Sequence, residues 1–275
     1  RGFPAAARAA MAHCPPWQFD LAAAQEEAAK LSVHGTVQLL GFLGVVALVR
    51  WWVPKVDPVA TADNVFGMLL YPPLAGAALL ATYTLHQDHS SRWAGASPAA
   101  GWFARCFVAR CLTHTVVMFF YRKMKAGEVV LMLLHHLLSA ACFGHVLVVR
   151  RGYFWASLAG CCEVTNIFLS ILFSMRELTY RGAPLQEVFP KLYVINGTFL
   201  FLSFAVLRLT LFPVWLRLYF LDLATYPAET AACGDWVDLY LNPGVIGFLL
   251  LLSTYWMVPI TKGLMKALGV SQKLK

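Results

Sequence analysis

Charge is scarce in this chain. Of its 275 residues, 14 are acidic and 22 basic, so charged side chains reach only 13% while hydrophobic ones make up 59%. Soluble domains carry about 25% charged residues, and a chain this apolar lacks the polar surface to cover a water-soluble globule. Other signatures are missing too. There is no P-loop, no dinucleotide glycine fingerprint and no Gly-x-Ser-x-Gly elbow, which excludes the common nucleotide-cofactor and serine-hydrolase designs. The seven cysteines show neither zinc spacing nor a dense disulfide framework. No run alternates like the strands of an outer-membrane barrel, so spanning segments must be helices that satisfy their own backbone. The net charge of +8 sits in short segments between apolar runs, without the basic stripe of a nucleic-acid binder. The opening RGFPAAARAAM has no h-region for a cleaved secretory signal, and Met11 is a candidate start that makes the first span an uncleaved anchor.

Long apolar runs are abundant. A window of about 20 residues finds seven candidate membrane helices, near 32–52, 64–85, 101–121, 128–149, 153–175, 189–212 and 241–261. The fold class is therefore all-α and polytopic. Residues 1–31 read as an N-terminal arm with a short amphipathic helix at 17–30, 32–60 as the first span and its loop, and 266–275 as a basic tail. Pro72-Pro73 should kink the second span, and Pro190 and Pro213 should bracket the sixth. With seven spans, the connections on the N-terminal side carry seven clear Lys/Arg and those on the opposite side twelve, which favours a luminal N-terminus and a cytosolic C-terminus. Cys14 and Cys233 then share the oxidising side, where they could pair.

The ionisable groups inside the spans are the candidate site. His135-His136 lies within VVLMLLHHLLSAACFGHVLVV, and Glu163, in YFWASLAGCCEVTNIFLSILF, is the acid read as lying mid-span. Glu163, Asn166, Ser170, Ser174 and Glu177 follow steps of three and four, so they share one helix face. His135, Ser139 and Cys142 form one row, with His136 about 100° around the helix. One histidine can thus face a cavity and the other a neighbouring helix. The sixth span adds Tyr193, Asn196, Ser203 and Arg208, and Arg208 either holds a lipid phosphate or carboxylate or snorkels to the interface. His114 could line the same interior, and His145 reads as structural. Adjacent histidines without an i,i+4 partner argue against a metal.

These residues resemble the TLC domain, the membrane domain of ceramide synthases, translocating-chain-associated membrane proteins and several lipid-homeostasis proteins, over about residues 60–265. In ceramide synthases a His-His pair is followed by His-Asp-x-Ser-Asp and then Leu-Leu-Glu. Gap-free alignment on the doublet places Cys162-Glu163-Val164-Thr165-Asn166 on that second segment and Ser170 at the glutamate. The doublet and one acid keep their spacing, while Cys162, Asn166 and Ser170 replace family residues. EVTNIFL, followed by NGTFLFLSFAVLRLTLFP, is closer to the less characterised transmembrane TLC-domain branch, associated with membrane lipid composition. The resemblance implies a helix bundle around a lipid-sized cavity, in the endoplasmic reticulum or a related endomembrane.

Two functional readings follow. One is a lipid-binding or lipid-homeostasis protein that uses the polar groups to hold a headgroup. The other is an acyl-CoA-dependent lipid N-acyltransferase, with His135 or His136 as general base, Glu163 orienting it, and Asn166, Ser170, Asn196 and Arg208 binding substrate. A seven-helix receptor or transporter is the third class, weakened by the absence of inverted repeats. No tightly bound cofactor is expected, with acyl-CoA as the co-substrate of the enzymatic reading. The expected partners are membrane lipids, with a homodimer allowed and nucleic acid excluded.

Overall fold

The computed structural model describes residues 20–53, 56–121 and 126–269. All seven expected spans are helices long and apolar enough to cross a membrane. The first, α1, runs from Leu21 to Trp52 and is capped by Asp20, whose carboxylate accepts from the Ala22 and Ala23 amides at 2.9 and 3.1 Å. It is continuous. The segment expected as a separate approach helix forms its first turns, because no proline or glycine intervenes before Gly35. Helix α2, Pro58–Leu85, starts with Asp57 as N-cap and proline at its first position, and continues through Pro72 and Pro73.

The third span is built from a short α3, His89–Ala94, then α4, Pro98–Val117, and a 3₁₀ turn at Met118–Phe120. Helix α5 is Ala126–Val149. A three-residue connection follows, in which Arg150 and Gly152 take left-handed φ values of 55° and 72°. The fifth span comprises α6, Tyr153–Gly160, a 3₁₀ turn at Cys161–Glu163 and α7, Val164–Glu177. A two-stranded hairpin, β1 (Thr179–Tyr180) and β2 (Ala183–Pro184), leads to α8, Leu185–Val188.

The sixth span corrects an expectation. It does not end at Pro213 but continues as α9 (Pro190–Phe204), a π turn (Ala205–Thr210) and α10 (Leu211–Thr225). Pro213 falls in the first turn of α10, just after the widened turn, where a missing N–H costs least. After α11, Pro227–Cys233, a second π turn (Val237–Leu241) opens the last span, α12, Asn242–Ala267.

Contacts among the spans close into a ring: α5 packs on α4, α4 on α2, α2 on α7, α7 on α9, α9 on α12, and α12 returns to α5. Helix α1 lies outside this ring against α2 and α4, and large residues such as Leu40, Trp51 and Trp52 on it are exposed. On the N-terminal side the interior is filled by stacked aromatics. Trp215 and Tyr219 lie parallel at 4.9 Å, Trp155 meets both edge-on, and Trp93 completes the group. Gly160 lets α6 approach α4 closely, since a β-carbon there would stand 2.0 Å from the Phe103 ring. Met11 and Cys14 lie outside the described residues. Cys233 is buried and disulfide-bonded, while the cysteines at 106, 111, 142, 161 and 162 are free thiols.

Candidate functional site

Three helices, α2, α4 and α5, with Tyr121 after the 3₁₀ turn, bring a continuous polar cluster into the apolar interior. Asp63, on the second turn of α2, is held by Arg110 of α4 through two contacts, Nη1 to Oδ1 at 2.8 Å and Nη2 to Oδ2 at 3.0 Å. Both side chains are buried, so each compensates a charge that would otherwise be stranded. Arg110 Nε also donates to Tyr71 Oη at 3.3 Å. The Tyr121 hydroxyl donates to Asp63 Oδ2 at 2.7 Å, and His114 Nε2 lies 3.2 Å from the same oxygen. His114 Nδ1 is in turn 3.2 Å from His136 Nε2. His114 Nε2 is hydrogen-bonded to Tyr121 Oη at 3.1 Å, so a polar line runs from Asp63 through Tyr121 and His114 to His136.

The doublet divides as the helical geometry requires. His136 faces α4, while His135 stands edge-on to Trp256 of α12 at 6.0 Å. Ser139 and Cys142, further along α5, line a cavity of about 40 Å³ together with Trp155, Trp215, Asn242 and Leu249. That space suits a water-sized occupant rather than a lipid chain, because the aromatic side chains fill the interior around it. A larger apolar groove of about 590 Å³ lies apart from the histidines, lined by Leu216, Phe220, Leu223, Leu239, Tyr240 and Pro243.

Glu163 occupies a second cluster. The 3₁₀ turn before α7 buries its carboxylate, which accepts from Asn166 Nδ2 at 2.8 Å and faces Cys162 Sγ at 3.7 Å. No hydrogen bond joins it to His135 or His136 among the described residues, so the acid that supports the histidine line is Asp63. Arg208 reaches the same cluster from the π turn. Its Nε donates to Thr165 Oγ1 at 2.9 Å and its Nη2 to Asn166 Oδ1 at 3.3 Å. At 5% exposure Arg208 does not snorkel. Asn166 thus stands between a carboxylate and a guanidinium.

The remaining expected residues lie at helix–helix contacts. Asn196 donates to the Phe168 carbonyl at 2.9 Å and ties α9 to α7. Ser170 lies so close to Gly67 that a β-carbon there would stand 2.6 Å from its Oγ. Glu177, at the end of the polar stripe, accepts from Thr61 at 2.8 Å and Asn64 at 3.3 Å. The stripe is therefore an α2–α7 seam over much of its length, as interhelical hydrogen bonding in a membrane leads one to expect. Asp63 and Tyr121 escaped the sequence reading. A second span begun at residue 64 leaves Asp63 just outside, although its helix begins at Pro58 and Asp57 provides the cap. The signal was there: two aspartates six residues apart cannot both cap one helix.

On the N-terminal side, His145 lies 2.8 Å from Asp235 and 3.6 Å from Asp238, and the three could converge on a metal ion. Arg151 already contacts both carboxylates at 3.4 and 3.5 Å and supplies charge compensation there. Partial burial raises the pKa of Asp235, but the Asp238 amide, His145 and Arg151 outweigh it and hold the carboxyl below its ordinary range. Nearby, Arg92 and the Trp93 indole both donate to Asp222, fixing α3 to α10.

A closed ring of apolar helices around buried, paired charges defines a polytopic α-helical membrane protein with an intramembrane polar site. Residues 66–262 match the family model of the TLC domain, and the chain belongs to that family. The matched stretch begins in α2 and ends in α12, so it contains the ring and leaves α1 outside. Comparisons with curated proteins and with solved structures give no match. Family membership links the protein to lipid metabolism or handling.

Proposed function

We propose that this protein binds a membrane lipid by its headgroup and so contributes to membrane lipid composition. The observation that carries this reading is Arg208. Buried Arg110 is paired with Asp63, and half-buried Arg92 and buried Arg151 with Asp222 and the Asp235–Asp238 pair. Arg208 is equally buried, yet it has no carboxylate within 4.0 Å and its Nη1 has no hydrogen-bond partner among the described residues. The nearest carboxylate, Glu163, is reached only through Asn166, so the buried guanidinium lacks a direct ion pair in an apolar medium, and a lipid phosphate or carboxylate would supply one. The lipid's chains would lie along the apolar outer face of the sixth span, where Phe199, Leu202 and Val206 are exposed. Native mass spectrometry of the purified chain tests this. The wild type should retain a lipid, and Arg208→Gln should weaken retention about tenfold to a hundredfold, the worth of one charge-assisted contact. An unchanged lipid population in Arg208→Gln, or none in the wild type, would overturn the reading.

A second reading, acyl-CoA-dependent N-acylation of a lipid amine, is favoured by the Asp63–His114–His136 line. The amine nitrogen would attack the thioester carbonyl as its proton passes to histidine. The C–N bond forms, the C–S bond breaks, and the departing thiolate of coenzyme A takes up the proton. Purified protein given acyl-CoA and a sphingoid amine should then form the amide, and His136→Ala should abolish it. Absence of product above background with wild-type protein removes this reading. For location, we propose the endoplasmic reticulum or a related endomembrane, with the N-terminal side luminal, on the basis of the charge count.

A further inference from the structure

We propose that Asp63 and His114 are positioning residues that hold His136 with Nε2 protonated and Nδ1 bare, so that Nδ1 accepts the proton of a lipid hydroxyl or amine. This rests on the reading that a lipid headgroup enters the bundle interior, and it names the atom and the donor class that headgroup must present.

The argument is one of donors and acceptors. A carboxylate only accepts, and Asp63 is ionised in a bidentate pair with Arg110. The single proton of Tyr121 Oη is spent on Asp63 Oδ2 at 2.7 Å. His114 Nε2 faces that same oxygen at 3.2 Å and the Tyr121 oxygen at 3.1 Å, so a bare Nε2 would meet only lone pairs. Nε2 of His114 therefore carries a hydrogen. Arg110 already balances Asp63, so the His114 ring needs no second proton, and its Nδ1 is an acceptor. The group 3.2 Å from it, His136 Nε2, must then donate. That leaves His136 Nδ1 with a lone pair, buried and without a hydrogen-bond partner among the described residues.

The same line can carry a proton. When Nδ1 of His136 takes a proton from an O–H or N–H group, the hydrogen on Nε2 can pass to His114 Nδ1. The positive charge then rests on His114, 3.2 Å from the Asp63 carboxylate rather than beside the substrate. His135 has no equivalent. Its Nδ1 is also buried and unpartnered, but no hydrogen bond among the described residues fixes its tautomer, and its ring contacts are with Trp256 and His136.

Nitrogen NMR of the full chain, with isotope-labelled histidine in lipid nanodiscs, reads each ring's tautomer directly. His136→Gln assigns the relevant signals by their loss. The wild type should show His136 protonated at Nε2 only, and His114→Phe should abolish that single-tautomer pattern while the protein stays folded by its circular dichroism. A His136 protonated at Nδ1 at rest, or a pattern indifferent to His114→Phe, would overturn the proposal. Asp63→Asn should loosen the pattern as well. If that variant fails to fold because Arg110 loses its partner, the wild-type and His114→Phe spectra decide alone. The resting tautomer does not depend on a headgroup held at Arg208, so failure of the relay and failure of the headgroup site are told apart by comparing these spectra with lipid retention in Arg208→Gln.

Discussion

Asp63 illustrates how a charge survives inside this bundle. Arg110 grips both of its oxygens, Tyr121 donates to one of them, and His114 adds a fourth contact. Desolvating such a pair is expensive, and its attraction offsets the penalty only while both partners are present. Arg110→Met should therefore cost about 3–5 kcal/mol of stability, because a carboxylate is left buried with two weaker donors. Adding Asp63→Leu to that variant should recover most of the loss, since the stranded charge disappears with its partner. Unfolding of the two variants in detergent or nanodiscs, compared with Asp63→Leu alone, measures the coupling. Additive losses in the double variant would mean that the pair does not interact as the geometry implies. The chemistry of His136 is separable from this stability effect, because His136→Ala leaves the ion pair intact.

At the scale of the element, hydropathy located all seven spans, since the bilayer thickness imposes a run of about 20 apolar residues whatever the fold. It could not place their ends. A polar Thr-Ala-Asp-Asn stretch reads as loop when its hydrogen-bond partners on α4 and α7 are unknown, so hydropathy opens the second span one residue past Asp63. The sixth was ended at Pro213, whereas the π turn at Ala205–Thr210 accommodates the proline and carries the helix on to Thr225. That turn is also where Arg208 sits, as irregular turns in membrane helices often present functional groups. The stripe Glu163, Asn166, Ser170, Ser174 and Glu177 was legible from period alone, but its partners were not. Periodicity says that a face is polar, and only the packing of α2 and α9 says whether it meets a cavity or another helix. For Ser170 and Glu177 the neighbour is α2, while Asn166 meets Arg208 and links it to Glu163. The joining of His114 to His136 likewise depends on α4 lying beside α5, which no local signal contains.

For the whole molecule, the two ends of the bundle differ in how their cations are used. On the N-terminal side Arg92, Arg150 and Arg151 each meet a carboxylate, as does Lys30, while Arg217 forms no ion pair among the described residues. On the opposite side Arg50, Arg181, Lys191, Lys262 and Lys266 form no ion pair among the described residues. In the orientation proposed above, cations left unpaired there would meet the anionic headgroups that enrich the cytosolic leaflet, each worth about 1 kcal/mol close to the surface. The bias agrees with the excess of twelve Lys/Arg over seven counted across the connecting segments. An N-glycosylation acceptor carried on a flexible insert within the 226–236 connection should therefore be modified when the protein is made in microsomes. The same insert within the hairpin at 179–184, on the other side, should remain bare. Because seven crossings fix these connections on opposite faces, the two inserts must give opposite answers. Glycan on the hairpin insert alone would place the unpaired cations in the lumen and reverse the orientation.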